Sequence, residues 1–453
     1  MSLSYNDLQL PVYRNTRPII ILNAKQDGKP KRLELSLSDL VAAAEISGLN
    51  IFFVSDTGMG KTQLVRDIYT THFGGEAHGN FLVGRPETRV MDLFERQQVD
   101  LSSGKYDSDA ARQLSDRTKA AINVVDEINR APPPVQVDFF DLAMGDYAFK
   151  GRPIPLGEEG YALFLATANM NKSGDNGFSG TFAMDRALLN RMPLTIDIDN
   201  KAFQPTTEDK IAIHHASLDP RIKSAEPRDL TQEILAAHKQ IASTARQQSI
   251  EADLFSAVLD KGLDYCRQDK LNQEKQGTFP MKCLECPHGK DICSATKHAS
   301  ERSIQSILML AKGMSHMLEL KYGEVEMPLL DVLTEAYRFT AFHGNLNDIT
   351  LEEKYAGRRQ LMMDALVGKI RAVVQDIQPH VFYDEAHPQG TFHPELVECT
   401  VGGKRSLSPK TESLTRLLRQ RSIPFTERNL QKRLEDQGIG ADWVGDFAKV
   451  YKE

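Results

Sequence analysis

Residues 51–64 read Ile-Phe-Phe-Val-Ser-Asp-Thr-Gly-Met-Gly-Lys-Thr-Gln-Leu. Asn50 to Val54 is a short β-branched and aromatic run, the pattern of a buried strand, and Lys61 to Thr71 reads as the helix that follows. The bend between them ends in Gly60-Lys61-Thr62, the last three positions of the phosphate-loop pattern G-x-x-x-x-G-K-[ST]. Ser55 stands where that pattern has its first glycine, and Gly58 adds freedom inside the loop. Glycines let backbone N–H groups curl around a β-phosphate. A lysine at position 61 reaches the β- and γ-phosphates, and a hydroxyl at Thr62 ligates Mg2+. The loop opens a helix, whose positive end favours anions. Strand, loop and helix in this order point to a nucleotide site rather than to a strand–helix turn carrying a surface lysine.

Further apolar runs at Ala121–Val125, Tyr161–Ala166 and Leu194–Ile198 are separated by helix-like segments, which predicts a parallel α/β sheet. Residues 17–23 read as an edge strand, and Ser36 to Ser47 as a helix with Ser or Asp near its start as a cap. These bounds give an N-terminal segment over 1–35 and an α/β nucleotide-binding core over 36–204. Beyond Thr206 the periodicity turns helical, at Glu208–Ala216, Leu230–Ser249, Leu254–Cys266, Arg302–Leu320 and Met327–His343. No strand-like run intervenes, so 205–345 is expected to be an all-helical domain, interrupted by a polar, cysteine-rich insert at 264–298. Thr350 to Pro379 reads as one more helix, within a mainly helical C-terminal extension over 346–453.

The chain has 453 residues, enough for about three domains and a full core. Its net charge of −7 argues against a protein that coats nucleic acid by bulk charge, though it leaves room for a local basic patch. No apolar run approaches the roughly 20 residues that cross a bilayer, and Met1 to Arg14 lacks a signal-peptide pattern. A cytoplasmic protein without membrane contact is expected.

Residues 121–131 read Ala-Ile-Asn-Val-Val-Asp-Glu-Ile-Asn-Arg-Ala. An apolar strand ending in Asp-Glu is a Walker B pattern: Asp126 would hold the Mg2+ water shell and Glu127 would polarise the attacking water. The run Asp126-Glu127-Ile128-Asn129-Arg130-Ala131-Pro132-Pro133, with Val135-Gln136 and Leu142-Ala143-Met144 after it, resembles the signature of the MoxR-type AAA+ ATPases. Tyr147 to Phe164 resembles that family's β-hairpin insert, with a turn at Gly151. Gly84-Arg85-Pro86 and Asp92-Leu93-Phe94 resemble the segment upstream, although Phe94-Glu95 departs from the family's usual glycine.

The resemblance covers roughly 40–345 and implies roles for further residues. Asn169, at the end of Leu163–Ala166 and Thr167-Ala168-Asn169, matches sensor 1, which positions the attacking water. Ala187-Leu188-Leu189-Asn190-Arg191-Met192 resembles the family's Ala-x-Leu-Asp-Arg-Phe, whose arginine acts on a neighbour's γ-phosphate. Arg191 is therefore the candidate arginine finger, with Arg186 second to it. Arg302, in Ser300-Glu301-Arg302-Ser303, matches sensor 2, with Glu301 in place of the family's proline. The resemblance further implies the AAA+ fold, ATP and Mg2+ as cofactors, hydrolysis between subunits of a homo-oligomeric ring, usually a hexamer, and a partner carrying a von Willebrand factor A domain.

Two features lie outside the resemblance. Cys266, Cys283, Cys286 and Cys293 include a C-x2-C knuckle and would complete a tetrahedral four-thiolate site. Zinc in a structural role is the first choice, and an iron–sulfur cluster uses four thiolates too. From Lys404 to Arg433 there are nine Lys/Arg and two acids. Thr411–Arg421 and Thr426–Asp436 read as two helices across a short turn, which suits a solvated hairpin, a dock for an acidic partner, or nucleic-acid binding. The function expected is ATP-dependent remodelling or activation of a protein client. The alternatives are a nucleic-acid motor or defence-system ATPase using 404–433, and a scaffold with a degenerate site.

Overall fold

A computed structural model describes residues 3–10, 18–97, 112–169, 181–200, 202–216, 226–244, 299–340, 346–376, 398–401 and 404–407, with single positions between 252 and 296. The chain divides into two compact units, residues 1–247 with 305–364 and residues 248–304 with 365–453.

The first unit opens with an antiparallel hairpin, β1 (Ile20–Gln26) and β2 (Lys29–Leu35), which forms its own two-stranded sheet. The expected edge strand at 17–23 is thus the start of a hairpin apart from the main sheet. Its turn is Asp27-Gly28, with φ of 50° and 73°, the two positive values that a type I′ hairpin turn requires. Helix α1 (Leu37–Ser47) follows, with Ser36 and Asp39 forming a reciprocal capping box.

The main sheet is built from β3 (Ile51–Ser55), β4 (Gly79–Val83), β7 (Ile122–Asp126), β10 (Leu163–Asn169) and β11 (Leu194–Asp197). All pairings are parallel, in the order β11-β3-β10-β7-β4. Every residue of β3, β7 and β10 is buried. That is why these strands read as continuous apolar runs rather than alternating ones: helices cover both faces of a parallel sheet. Helix α2 (Lys61–Thr71) follows β3, the short α3 (Val90–Phe94) follows β4, and α4 (Pro133–Met144) follows β7. Phe52, Val54, Val125, Phe164 and Ala166 of the sheet pack with Phe139 and Leu142 of α4, and with Leu188 and Met192 beyond β10.

Two small hairpins flank this core. The strands β5 (Glu95–Gln97) and β6 (Arg112–Leu114) pair, as do β8 (Asp146–Phe149) and β9 (Arg152–Pro155), the latter turning at Lys150-Gly151. Glu95, where the resemblance leads one to expect glycine, joins the two. It receives a bond from the Tyr147 hydroxyl at 2.6 Å and pairs with Arg112, which holds its carboxyl below the ordinary value.

Helix α5 (Arg186–Leu189) precedes β11, and among the described residues α6 (Thr207–Ala216) and α7 (Thr231–Thr244) come after it. The long α8 (Glu301–Tyr322) runs from the second unit into the first, where Lys321 Nζ meets Asp39 Oδ2 at 3.0 Å. Helix α9 (Leu329–Thr340) buries Val332, Leu333, Ala336 and Tyr337, and its Phe339 ring meets Phe203 at 6.0 Å. The helix expected from Thr350 is two helices, α10 (Asp348–Tyr355) and α11 (Arg359–Asp376). Ala356 and Gly357 take left-handed φ of 49° and 72° between them, which ends the first helix. In the second unit, β12 (Glu398–Val401) pairs with β13 (Lys404–Leu407) and places Cys399 opposite Ser406. The two helices expected at 411–436 lie outside the described residues.

Asp67 in α2 has no solvent exposure, and Gln63 Nε2 donates to its Oδ1 at 2.7 Å. Burial pushes its acid up to about 6. The folded pKa lies above the unfolded value, so the stability it contributes is full below about pH 4 and is lost as pH rises through about 6. Asp67→Asn is expected to flatten this dependence. Denaturation at pH 4 and pH 8 should show wild type losing up to about 3 kcal/mol relative to the variant. Parallel losses in both proteins would mean that the Asp67 charge does not oppose folding.

Candidate nucleotide site

Register decides which residues meet at the carboxyl ends of the sheet. Asn169 pairs with Ser55, Ala166 with Val125, and Val83 with Asp126, so the ends of β3, β10, β7 and β4 lie in a row. The strand order reverses between β3 and β10, with the chain leaving β3 for the far edge and returning inward. Open α/β sheets take their ligands at such a point.

The phosphate loop sits there. Gly58 and Gly60 have φ of 78° and 83°, and Gly60 is the residue from which α2 starts. A side chain at either position would be strained, and the turn leaves the first N–H groups of α2 directed at the loop. Lys61 is 6% exposed. Its ammonium donates to Ser55 O at 3.0 Å, Ser55 Oγ at 2.7 Å and Asp56 O at 2.8 Å. Burial pulls its pKa down, against the opposing charges of Asp199, Asp126, Asp56 and Glu127. The Asp56 N–H donates to Asp199 Oδ2 at 2.9 Å, which ties the loop to the chain beyond β11.

The acidic strand end faces this loop. Thr62 Oγ1 donates to the Asp126 carboxylate at 3.0 and 3.2 Å. Thr167 Oγ1 donates to Asp126 Oδ1 at 2.6 Å and accepts the Glu127 N–H at 2.8 Å. One buried hydroxyl therefore holds both acidic residues. Glu127 has a left-handed φ of 55° and caps the turn Ile128–Arg130. Its Oε1 receives Asn169 Nδ2 at 3.3 Å and Arg130 Nη2 at 3.0 Å. Asn129 Nδ2 donates to Asn169 O at 2.7 Å, which fixes the end of β10 from the other side.

Gly84 completes the back of the site. Its N–H donates to Asp126 O at 2.7 Å, and a Cβ there would stand 2.4 Å from Glu127 O. The donor set fits a hard divalent cation: a threonine hydroxyl beside a carboxylate, without sulfur or imidazole. The loop, with two left-handed glycines at a helix start and a buried ammonium, fits a polyphosphate.

Gly58, Gly60, Lys61, Thr62, Asp126, Glu127 and Asn169 thus come together as a single cluster. The other expected residues belong to other parts of the chain. Arg191 lies half-buried after α5, its Nη1 donating to Ala187 O at 2.8 Å and its guanidinium 4.5 Å from the centre of the Phe140 ring. Arg186 is exposed in the first turn of α5, after the capping residue Asp185. Arg302 is exposed in the first turn of α8, in the second unit. Cys266, Cys283, Cys286 and Cys293 lie outside the described residues, as does the basic stretch beyond Leu407.

Sequence reasoning assigned no role to Thr167, Arg130 or Asp199. Thr167 carries a usable signal, because a hydroxyl two residues before a polar strand end, in an otherwise apolar strand, must bond something buried. Asp199 carries none that is local, because its partner is 143 residues away in sequence.

No protein-family model matches the chain, and no curated protein matches it. Among solved structures the chain is similar to one from Cytophaga hutchinsonii described as a "putative ATPase". The identity is 16%, over 72% of this chain and 87% of that one, with a TM-score of 0.49. The sheet, the phosphate loop and the helices beyond them define an α/β P-loop core followed by a helical part. Among the described residues, no helix is long and apolar enough to cross a membrane.

Proposed function

We propose that this protein is an AAA+ ATPase of the MoxR type that hydrolyses ATP to remodel or activate a protein client. The observation that carries the proposal is the bonded set Thr62–Asp126–Thr167–Glu127–Asn169, facing a phosphate loop at the reversal point of the sheet.

Each residue then has a definite task. Lys61 exchanges bonds within the loop for bonds to phosphate oxygens. Thr62 and Asp126 hold Mg2+, which when bound neutralises charge on the β- and γ-phosphates. Glu127 accepts the proton of the attacking water, and Asn169 orients that carboxylate and the water. Thr167 keeps Asp126 and Glu127 in fixed relation, so metal holding and water activation are aligned by the same hydroxyl.

The further parts of the proposal come from the sequence: the ring, its partner and the roles of Arg191 and Arg302 from the resemblance, the rest from features outside it. Arg191 reaches the site of the next subunit in a homo-oligomeric ring, a hexamer, after leaving its place on Phe140. Arg302 acts as sensor 2 from a helical lid over 205–345, and a von Willebrand factor A domain protein is the partner in the cytoplasm. Cys266, Cys283, Cys286 and Cys293 hold a structural zinc or an iron–sulfur cluster. The seven net positive charges over 404–433 favour one second reading, an ATPase that works on nucleic acid.

Glu127→Gln tests both readings. The variant is expected to bind ATP with Mg2+ and not hydrolyse it, and so to retain its client. Captured from source-cell lysate with ATP and Mg2+, it should bring down a von Willebrand-type protein or one defined client that survives nuclease treatment. Partners lost on nuclease treatment and at raised salt would support the nucleic-acid reading instead. Failure to bind ATP would overturn both.

A further inference from the structure

Ser55 occupies the position at which the phosphate-loop pattern carries its first glycine. It ends β3 and is 1% exposed. Its Oγ accepts a bond from Lys61 Nζ at 2.7 Å, the shortest of the three that this ammonium makes. The same hydroxyl donates its proton to Asp56 O at 2.9 Å, which leaves its oxygen lone pairs directed at the lysine. Asp56 in turn is held at its N–H by Asp199, so the acceptor group is anchored on both sides.

An ammonium has three protons and no acceptor. All three Lys61 protons are committed to the loop's own atoms. A phosphate oxygen can bond to this lysine only by displacing one of them. Two of the acceptors are backbone carbonyls, which any residues at 55 and 56 would supply. The third is the hydroxyl, which Ser55 alone brings and a glycine would lack.

We propose that Ser55 is a positioning residue that holds Lys61 in a self-bonded state, in competition with the nucleotide's phosphates, and so sets how tightly nucleotide is held and how fast it leaves. The proposal rests on the nucleotide reading of the site. The device departs from the general pattern: a glycine at that position would give a lysine with one proton unassigned and ready for phosphate. A bond to a charged donor is among the stronger hydrogen bonds, so its loss should be visible in affinity.

The test uses the full chain with MgADP and MgATP as ligands. Ser55→Ala and Ser55→Gly both remove the hydroxyl, and the glycine restores the general pattern. Each is expected to lower the MgADP dissociation constant by about tenfold and to slow nucleotide release, with KM for MgATP falling in step. Tighter binding is a gain that a damaged loop would not give. A folded variant of either kind that binds MgADP as wild type does, or more weakly, overturns the role of Ser55. If wild type binds MgADP and Lys61→Ala abolishes that binding, the nucleotide reading survives such a result. If wild type binds neither nucleotide, both fall.

Discussion

Lys61→Ala is expected to abolish measurable nucleotide binding and to cut phosphate release from ATP by at least about 10²-fold, the scale of removing a preorganised charge from a phosphoryl-transfer site. The lysine is bonded inside the loop, and four carboxylates, those of Asp56, Asp126, Glu127 and Asp199, act on it. Without it those acids repel a polyphosphate instead of sharing a counter-charge with it. The fold should persist. The freed acceptors are Ser55 O, Ser55 Oγ and Asp56 O, and Asp56 is partly exposed, so water can satisfy much of what the ammonium leaves. Titration with MgADP beside a thermal melt separates the two effects. Lost binding at a nearly unchanged melting temperature is the expected pair. Retained binding would show that the loop does not hold phosphate through Lys61.

Gly84→Ala should act on the opposite side of the site with a different signature. The added Cβ would meet Glu127 O at 2.4 Å and Glu127 C at 2.9 Å, both backbone atoms that cannot swing aside. The strand end must shift, and with it the left-handed Glu127 and its bonds to Asn169 and Arg130. Overpacking of this kind costs about 1–3 kcal/mol. Hydrolysis should fall by about 10-fold or more, toward the roughly 10²-fold that a misplacement of about 1 Å can cost. Nucleotide binding through Lys61 and the loop should persist. A variant with normal turnover would place Gly84 in packing only and free the Glu127 loop from it.

Local pattern made much of this site readable. Gly60-Lys61-Thr62 and Asp126-Glu127 each follow an apolar strand, and parallel pairing brings their ends together. Buried β3, β7 and β10 were legible because strands covered on both faces are apolar throughout. The edge strand β4 was missed: Asn80-Phe81-Leu82-Val83 is too short for periodicity to separate from a loop, although Gly79 and Gly84 bracket it. The β1–β2 hairpin was missed although Asp27-Gly28 is a strong turn signal, because Lys29-Pro30-Lys31 after it reads as polar coil. The bonds Asp56–Asp199 and Thr167–Asp126 join positions far apart in the chain and exist only once the sheet has formed.

The most direct test of the central claim is steady-state phosphate release from ATP by the purified wild-type chain, with Mg2+ and with the metal chelated, beside Glu127→Gln. The cluster at the sheet end predicts release that requires Mg2+ and is lost in Glu127→Gln while that variant still retains ATP. Release that persists without Mg2+, or that survives in Glu127→Gln, would contradict the assignment of Thr62, Asp126 and Glu127 as the hydrolytic centre.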